Sequence, residues 1–254
     1  MDLIEYIGPL WSDRRPTPDL ALHLDARDRL VEIACGTAPA RVVLGVPHHA
    51  AMGVDRIAER HPTGGRVADE NAVLYALAAL EALHALGIPC RVVVAAHATD
   101  HDPNKDAASP YCRRVLAGEA TELLVECHGA GHRAPHDLEL SAGRNAHARP
   151  LPFGRLLARA LGGSTPLATQ RAPGDRGGVL LDAAGDDGAA CELRFPALRT
   201  RSLRAASERG LAALHLEAKP RYRSLGDGSG RLTADGARLG RSLAEAVERY
   251  LGVS

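Results

Sequence analysis

This 254-residue chain has no excess of either charge, no CxxC pair, no long apolar run and no Gly-rich phosphate loop, and each absence removes a class of function. Lysine plus arginine equals aspartate plus glutamate at 31 each, so no global field attracts nucleic acid or an anionic membrane, and neither is expected as a partner. The five cysteines (35, 90, 112, 127 and 191) are odd in number and not at metal-finger spacing, which argues against a disulfide framework and a thiolate zinc site. No stretch approaches the roughly 20 apolar residues of a membrane span. Met1 to Glu5 has no basic segment leading into an apolar one, so a soluble, cytoplasmic protein is expected. Without a phosphate loop, a nucleosidase or phosphorylase is disfavoured.

What is present is enough hydrophobic residue, 45%, to bury a substantial core. No Pro/Gly/Ser-rich linker divides the chain, so one domain is expected over 1–254, with 1–29 as an N-terminal extension. Strand-like runs fall near 30–35, 41–46, 91–97, 122–127, 137–141, 178–183, 189–195 and 212–218. Helical spacing falls near 66–86, 107–118, 151–161, 199–209 and 233–251. Gly87 is a natural stop for the first helix, and Thr233 an N-cap for the last. The alternation predicts an α/β fold with a mixed, mostly parallel central sheet and helices on both faces.

Polar residues gather where these elements end. Leu123-Leu124-Val125 runs into Glu126-Cys127-His128-Gly129, and Val42 to Val46 runs into Pro47-His48-His49. Histidines at strand ends lie where open α/β sheets bind ligands. A hydrolytic zinc site takes three protein ligands and keeps one position open for water. His48, Glu70 and His128 form such a set, one zinc per chain, with His49 the alternative to His48 and Asp69 the alternative to Glu70. Glu70 is expected in the first turn of its helix, where the helix dipole favours a carboxylate. Glu217, which interrupts the apolar alternation of Leu214-His215-Leu216-Glu217-Ala218, is the candidate general base, and Glu192 is its rival. His97, Asp100, His101 and Asp102 are expected to support the site from a loop, a second metal being the lesser possibility. His132 and His136 are expected at its rim.

VPHHA (46–50), Asp102-Pro103-Asn104-Lys105, VECHGA (125–130), Asp137-Leu138-Glu139-Leu140, and Glu208-Arg209-Gly210 leading to LHLEA (214–218) and Arg221-Tyr222 together resemble the N-formylglutamate amidohydrolase family. The resemblance runs from about residue 40 to the C terminus. It implies a fold similar to the zinc carboxypeptidases, zinc held by a VPHHA histidine, a helix-start carboxylate and His128, and Glu217 as general base. It also implies that Asn104 and Lys105 hold a substrate carboxylate. The family pattern there is D-x-N-R, so lysine replaces a planar fork with a point charge. Lys105 and Lys219 are the only lysines of the chain, and both fall in these motifs. Arg144 is the other cation expected near that carboxylate.

The expected activity is zinc-dependent hydrolysis of an amide bond in a small N-acyl amino acid-type substrate with a free carboxylate. The alternatives are a metallocarboxypeptidase-like or γ-glutamyl peptide hydrolase, and a non-catalytic metal- or ligand-binding protein. Acyl group, amino acid, oligomeric state and metal identity are left open.

Overall fold

The computed structural model describes residues 20–25, 30–35, 38–50, 69–95, 102–131, 136–143, 150–161, 179–182, 197, 199–224 and 232–253. Ten strands are found among them: β1 (Leu20–Asp25), β2 (Leu30–Cys35), β3 (Val42–Val46), β4 (His49–Ala50), β5 (Asp69–Glu70), β6 (Cys90–Ala95), β7 (Leu123–Gly129), β8 (Leu138–Ser141), β9 (Val179–Asp182) and β10 (Ala212–Ala218). The helices are α1 (Ala72–Ala85), α2 (Pro110–Val115), α3 (Pro150–Ala160), α4 (Arg201–Glu208) and α5 (Ala234–Leu251). Eight strands form one sheet in the order β1-β2-β6-β3-β7-β10-β8-β9, and β4 and β5 make a separate short parallel pair. The central strands β6, β3, β7 and β10 run parallel; β1, β2 and β8 enter antiparallel, and β9 runs parallel to β8. The expected α/β architecture is therefore the observed one.

Strand alternation assigns the two faces. On β7, Leu123, Val125 and Cys127 join the main core with Leu214, Leu216 and Ala218 of β10, beneath α1, α3 and α5. Leu124 and Ala213 face the other way, into a smaller core with Tyr111, Val115, Leu203 and Ala206 of α2 and α4. Burying each such Leu or Val stabilises the fold by roughly 1.5–3 kcal/mol. Helix α1 is apolar on nearly every side, because it lies between the sheet and α5. Helix α5 instead buries one stripe, Leu239, Leu243 and Val247, and starts where the Thr233 side chain accepts from the Gly236 N–H.

Two details depart from expectation. Strand β1 lies inside the stretch expected as an extension and pairs with β2 at the sheet edge. The first helix starts at Ala72, not near 66: Asp69 and Glu70 pair in extended backbone with His49 and Ala50, and Asn71 turns the chain at φ 60°. Asn tolerates the left-handed region better than most side chains, so it serves as the corner between β5 and α1. Glu70 is thus a strand residue ahead of the helix. The strand expected at 189–195 lies outside the described residues.

Candidate metal centre and its polar neighbours

Parallel strands β3, β7 and β10 deliver their C-terminal ends to one edge of the sheet, and the polar groups collect there. His48 follows β3 in a turn, while His128 is the penultimate residue of β7. Asp69 of β5 is anchored by its N–H donating to the His48 carbonyl at 2.8 Å. Three donor atoms converge: His48 Nδ1 lies 3.3 Å from Asp69 Oδ2 and 3.1 Å from His128 Nδ1, and His128 Nδ1 lies 2.8 Å from Asp69 Oδ2. All three side chains are buried. Zinc ligands at about 2.0–2.1 Å in tetrahedral geometry are roughly 3.3 Å apart, so this triangle is close to one face of such a site.

The surroundings fit a cation at its centre. His48 Nε2 donates to Asp102 Oδ1 at 2.6 Å, which leaves Nδ1 as the ring's lone-pair nitrogen, turned toward the triangle. Two imidazole nitrogens 3.1 Å apart cannot both keep a proton between them, and both can bind a metal. Burial alone would raise the Asp69 carboxyl pKa, but the hydrogen bond from His128 and the closeness of the two imidazoles pull it well below the ordinary range. Burial would likewise lower the His128 imidazole pKa; its bond to Asp69 and the nearby Glu126 carboxylate outweigh this and push it up to about 9. The carboxylates thus demand positive charge, which a bound divalent ion would supply.

Of the expected ligands, His48 and His128 are in the cluster. Among the described residues the carboxylate that meets them is that of Asp69, the expected alternative to Glu70; the side chains of Glu70 and His49 lie outside the described residues. The pairing with β4 holds this segment extended and sets Asp69 against the histidines. Gly129 permits the closeness: a Cβ there would lie 2.9 Å from the Arg223 guanidinium carbon and 3.1 Å from Asp69 Cβ. Tyr75 of α1 reaches through from the main core and donates to the His128 carbonyl at 2.9 Å, fixing the strand end.

A second set of polar groups adjoins the first on the same sheet face. Glu126 of β7 sits beside His215 of β10, and His128 sits beside Glu217. His215 and His128 stack with ring centroids 4.1 Å apart, and His215 Nε2 lies 3.0 Å from Glu217 Oε1. Glu217, buried, also faces Glu139 across β8. Glu126 accepts from Tyr111 Oη at 3.1 Å, from Asn104 Nδ2 at 3.3 Å and from Ser202 Oγ. Burial by itself would raise its pKa; the His128 imidazole, 3.9 Å away, and the hydrogen bond from Ser202 lower it, so it stays a carboxylate inside the protein. Glu126 and His215 were not singled out in the sequence, although the i, i+2 spacing of Glu126 with His128 and of His215 with Glu217 places each pair on one strand face.

The expected substrate contacts divide. Lys105 is partly exposed and pairs with Asp102 Oδ2 at 2.7 Å. Asn104 is only 1% exposed; its Nδ2 donates to Glu126 at 3.3 Å and lies 3.3 Å from His128 Nε2. Asp102 supports the site from its loop, as expected of that cluster; His97, Asp100, His101, His132, Arg144 and Glu192 lie outside the described residues. His136 is described and partly buried.

No protein-family model matches the sequence, and no curated protein matches it. Solved structures do. The chain aligns over 99% of its length with 67% of a Burkholderia mallei protein assigned as a carboxypeptidase, at TM-score 0.57 and 14% identity. A metallo-carboxypeptidase from Burkholderia cenocepacia aligns with TM-score 0.55 and 14% identity, covering 99% of this chain and 68% of that one. One from Pseudomonas aeruginosa aligns at 0.50 and 13%, covering 98% and 68%. The fold is carboxypeptidase-like. No described helix is long and apolar enough to cross a membrane.

Proposed function

We propose that this chain is a zinc-dependent hydrolase that cleaves an amide bond in a small N-acyl amino acid-type substrate bearing a free carboxylate. One observation carries it: three buried donor atoms, His48 Nδ1, Asp69 Oδ2 and His128 Nδ1, meet at 2.8–3.3 Å at the C-terminal edge of a carboxypeptidase-like sheet. The ligand set is two histidines and one carboxylate, which leaves a fourth position open. When bound, zinc polarises the scissile carbonyl and lowers the pKa of water at the site.

The chain's own groups do the rest. Glu217 stands one strand over from His128 on the same face, as the general base that takes a proton from the attacking water and returns it to the leaving nitrogen. His215, bonded to it, holds that carboxylate in place. Asp102 and Asn104 aim the two histidines. Lys105 offers the substrate carboxylate a point charge. The similarity of fold to metallo-carboxypeptidases supports a second reading, release of a C-terminal residue from a peptide, which uses the same groups on a longer substrate.

Elemental mass spectrometry on the purified protein tests the assignment. About one zinc per chain is expected, lost in His128→Ala; no tightly bound metal after zinc is supplied would sink it. Glu217→Gln is expected to keep the zinc while kcat falls by at least ~10²-fold, the usual general-base contribution. Undiminished turnover would move the base elsewhere. A panel of N-acyl amino acids against short peptides separates the two readings, and zinc without turnover of either would leave a metal-binding protein.

A further inference from the structure

His128 is the last residue but one of β7, and Glu217 the last but one of β10, so their separation depends on how these two strand ends are held. One further rung follows them, the Ala130 N–H donating to the Ala218 carbonyl at 2.9 Å. A ladder frays from its last rung unless the polar groups there find partners.

Arg223 supplies them. Its Nε donates to the Ala218 carbonyl at 3.2 Å and its Nη2 to the Ala130 carbonyl at 3.1 Å, so one planar group spans both strand ends. The guanidinium occupies the space of a missing side chain: a Cβ on Gly129 would lie 2.8 Å from Arg223 Nε, and 3.1 Å from Asp69 Cβ on the same side. A single residue therefore borders the strand of His128, the strand of Glu217 and the backbone side of Asp69.

The turn that carries Arg223 is itself anchored. After β10, Pro220–Tyr222 forms a 3-10 turn in which the Tyr222 and Arg223 N–H groups donate to the Lys219 and Pro220 carbonyls, each at 3.0 Å. Tyr222 packs into the main core. Thr233, at the start of α5, donates its hydroxyl to the Arg221 carbonyl at 2.6 Å and its N–H to the Ser224 carbonyl at 3.1 Å. Arg223 thus reaches the strand ends from a base fixed on both sides.

We infer that Arg223 is a positioning residue, a clamp that holds the ends of β7 and β10 together and so sets His128, Asp69 and Glu217 at the spacing the reaction needs. This rests on the hydrolase assignment above.

Two variants test it. Arg223→Met keeps an unbranched side chain and removes the donors, whereas Arg223→Ala leaves room for a free guanidinium ion. In Arg223→Met the Ala130 amide should exchange with deuterated solvent about tenfold or more faster than in the parent, with Val125, deeper in β7, unchanged. Of N-acetylalanine, N-acetylglutamate and alanyl-alanine, the one the parent turns over fastest serves as substrate. Its kcat should fall about tenfold or more in zinc-loaded Arg223→Met at unchanged KM, since a misplacement of about 1 Å can cost ~10²-fold. Millimolar guanidinium should restore kcat in Arg223→Ala, and ammonium at equal ionic strength should not. Val247→Ala, toward the other end of α5, controls for lost stability: its urea midpoint should fall while kcat holds. An unchanged Ala130 amide overturns the clamp. Faster exchange with kcat untouched, or a loss of kcat that Val247→Ala reproduces, overturns the positioning role. If the parent binds zinc but turns over nothing, the reaction assignment fails and chelator competition decides. Zinc affinity about tenfold weaker in Arg223→Met then upholds the clamp, and equal affinity overturns it. A parent that binds no zinc overturns both.

Discussion

Asp102 shows how one side chain outside the histidine cluster can decide what the cluster binds. By accepting the Nε2 proton of His48, it makes Nδ1 the lone-pair nitrogen and turns it toward Asp69 and His128. Its carboxyl pKa, which burial alone would raise, is pulled well below the ordinary range by His48 and Lys105, so it remains an acceptor. Replacing it with alanine removes the partner without touching a ligand. Asp102→Ala should weaken zinc binding by roughly 10–100-fold, the usual cost of losing such a partner, in a chelator-competition titration. The denaturation midpoint of the metal-free protein should move far less than for a core substitution. An unchanged zinc affinity would mean that His48 is held by packing instead. Glu126 is the complementary case: a carboxylate with no solvent exposure, tolerated because Tyr111, Ser202 and Asn104 donate to it.

Strands β7 and β10 build the site by pairing Glu-x-His with His-x-Glu in register, so that each acid has a histidine beside it: Glu126 with His215, Glu217 with His128. The two motifs were visible in the sequence as separate strand ends, but their register was not, because parallel strands meet only through a long connection that carries no local pairing signal. Helix starts were legible where a cap announces them, as at Thr233. The start of α1 was not, because 69–71 adopts an extended and then left-handed backbone that the apolar helical pattern runs straight into. The packing of α1 on α5 is equally invisible in sequence and rests on Gly240. A Cβ there would come within 2.6 Å of Ala78 Cβ and 2.8 Å of backbone atoms of Ala78 and Ala79. Alanine gains up to ~1 kcal/mol of helix propensity over glycine, whereas forcing packed helices apart costs about 1–3 kcal/mol. Gly240→Ala should therefore lower stability, seen as a lower urea midpoint at unchanged slope. A higher midpoint would show that the two helices separate without cost.

At the scale of the whole molecule, the core was legible because alternating strands and periodic helices announce which residues turn inward. The site was half legible: His48, His128 and Glu217 stand at strand ends and Asp69 was one of two candidate carboxylates, but the β4–β5 pairing that sets Asp69 against the histidines forms only on folding. The same burial governs the thiols. Cys35, Cys90, Cys112 and Cys127 are all buried, and burial is the leading cause that raises each pKa, Cys112 to about 11 and Cys127 to about 12. Only the thiolate reacts with alkylating agents, and a thiol in the unfolded chain ionises near pH 8.5. At pH 8 these four should therefore stay unmodified in the native protein and label fully in denaturant, as peptide mapping would read position by position. The same shifts carry a sign for stability. Folding keeps the protons on, so this contribution is complete below pH ~8.5. Above that pH the unfolded chain releases protons that the folded one retains, and stability should fall as pH rises toward 11–12. A urea midpoint that held constant from pH 8 to 10.5, or rapid native labelling at Cys127, would mean that the sheet opens locally around β7 without global unfolding.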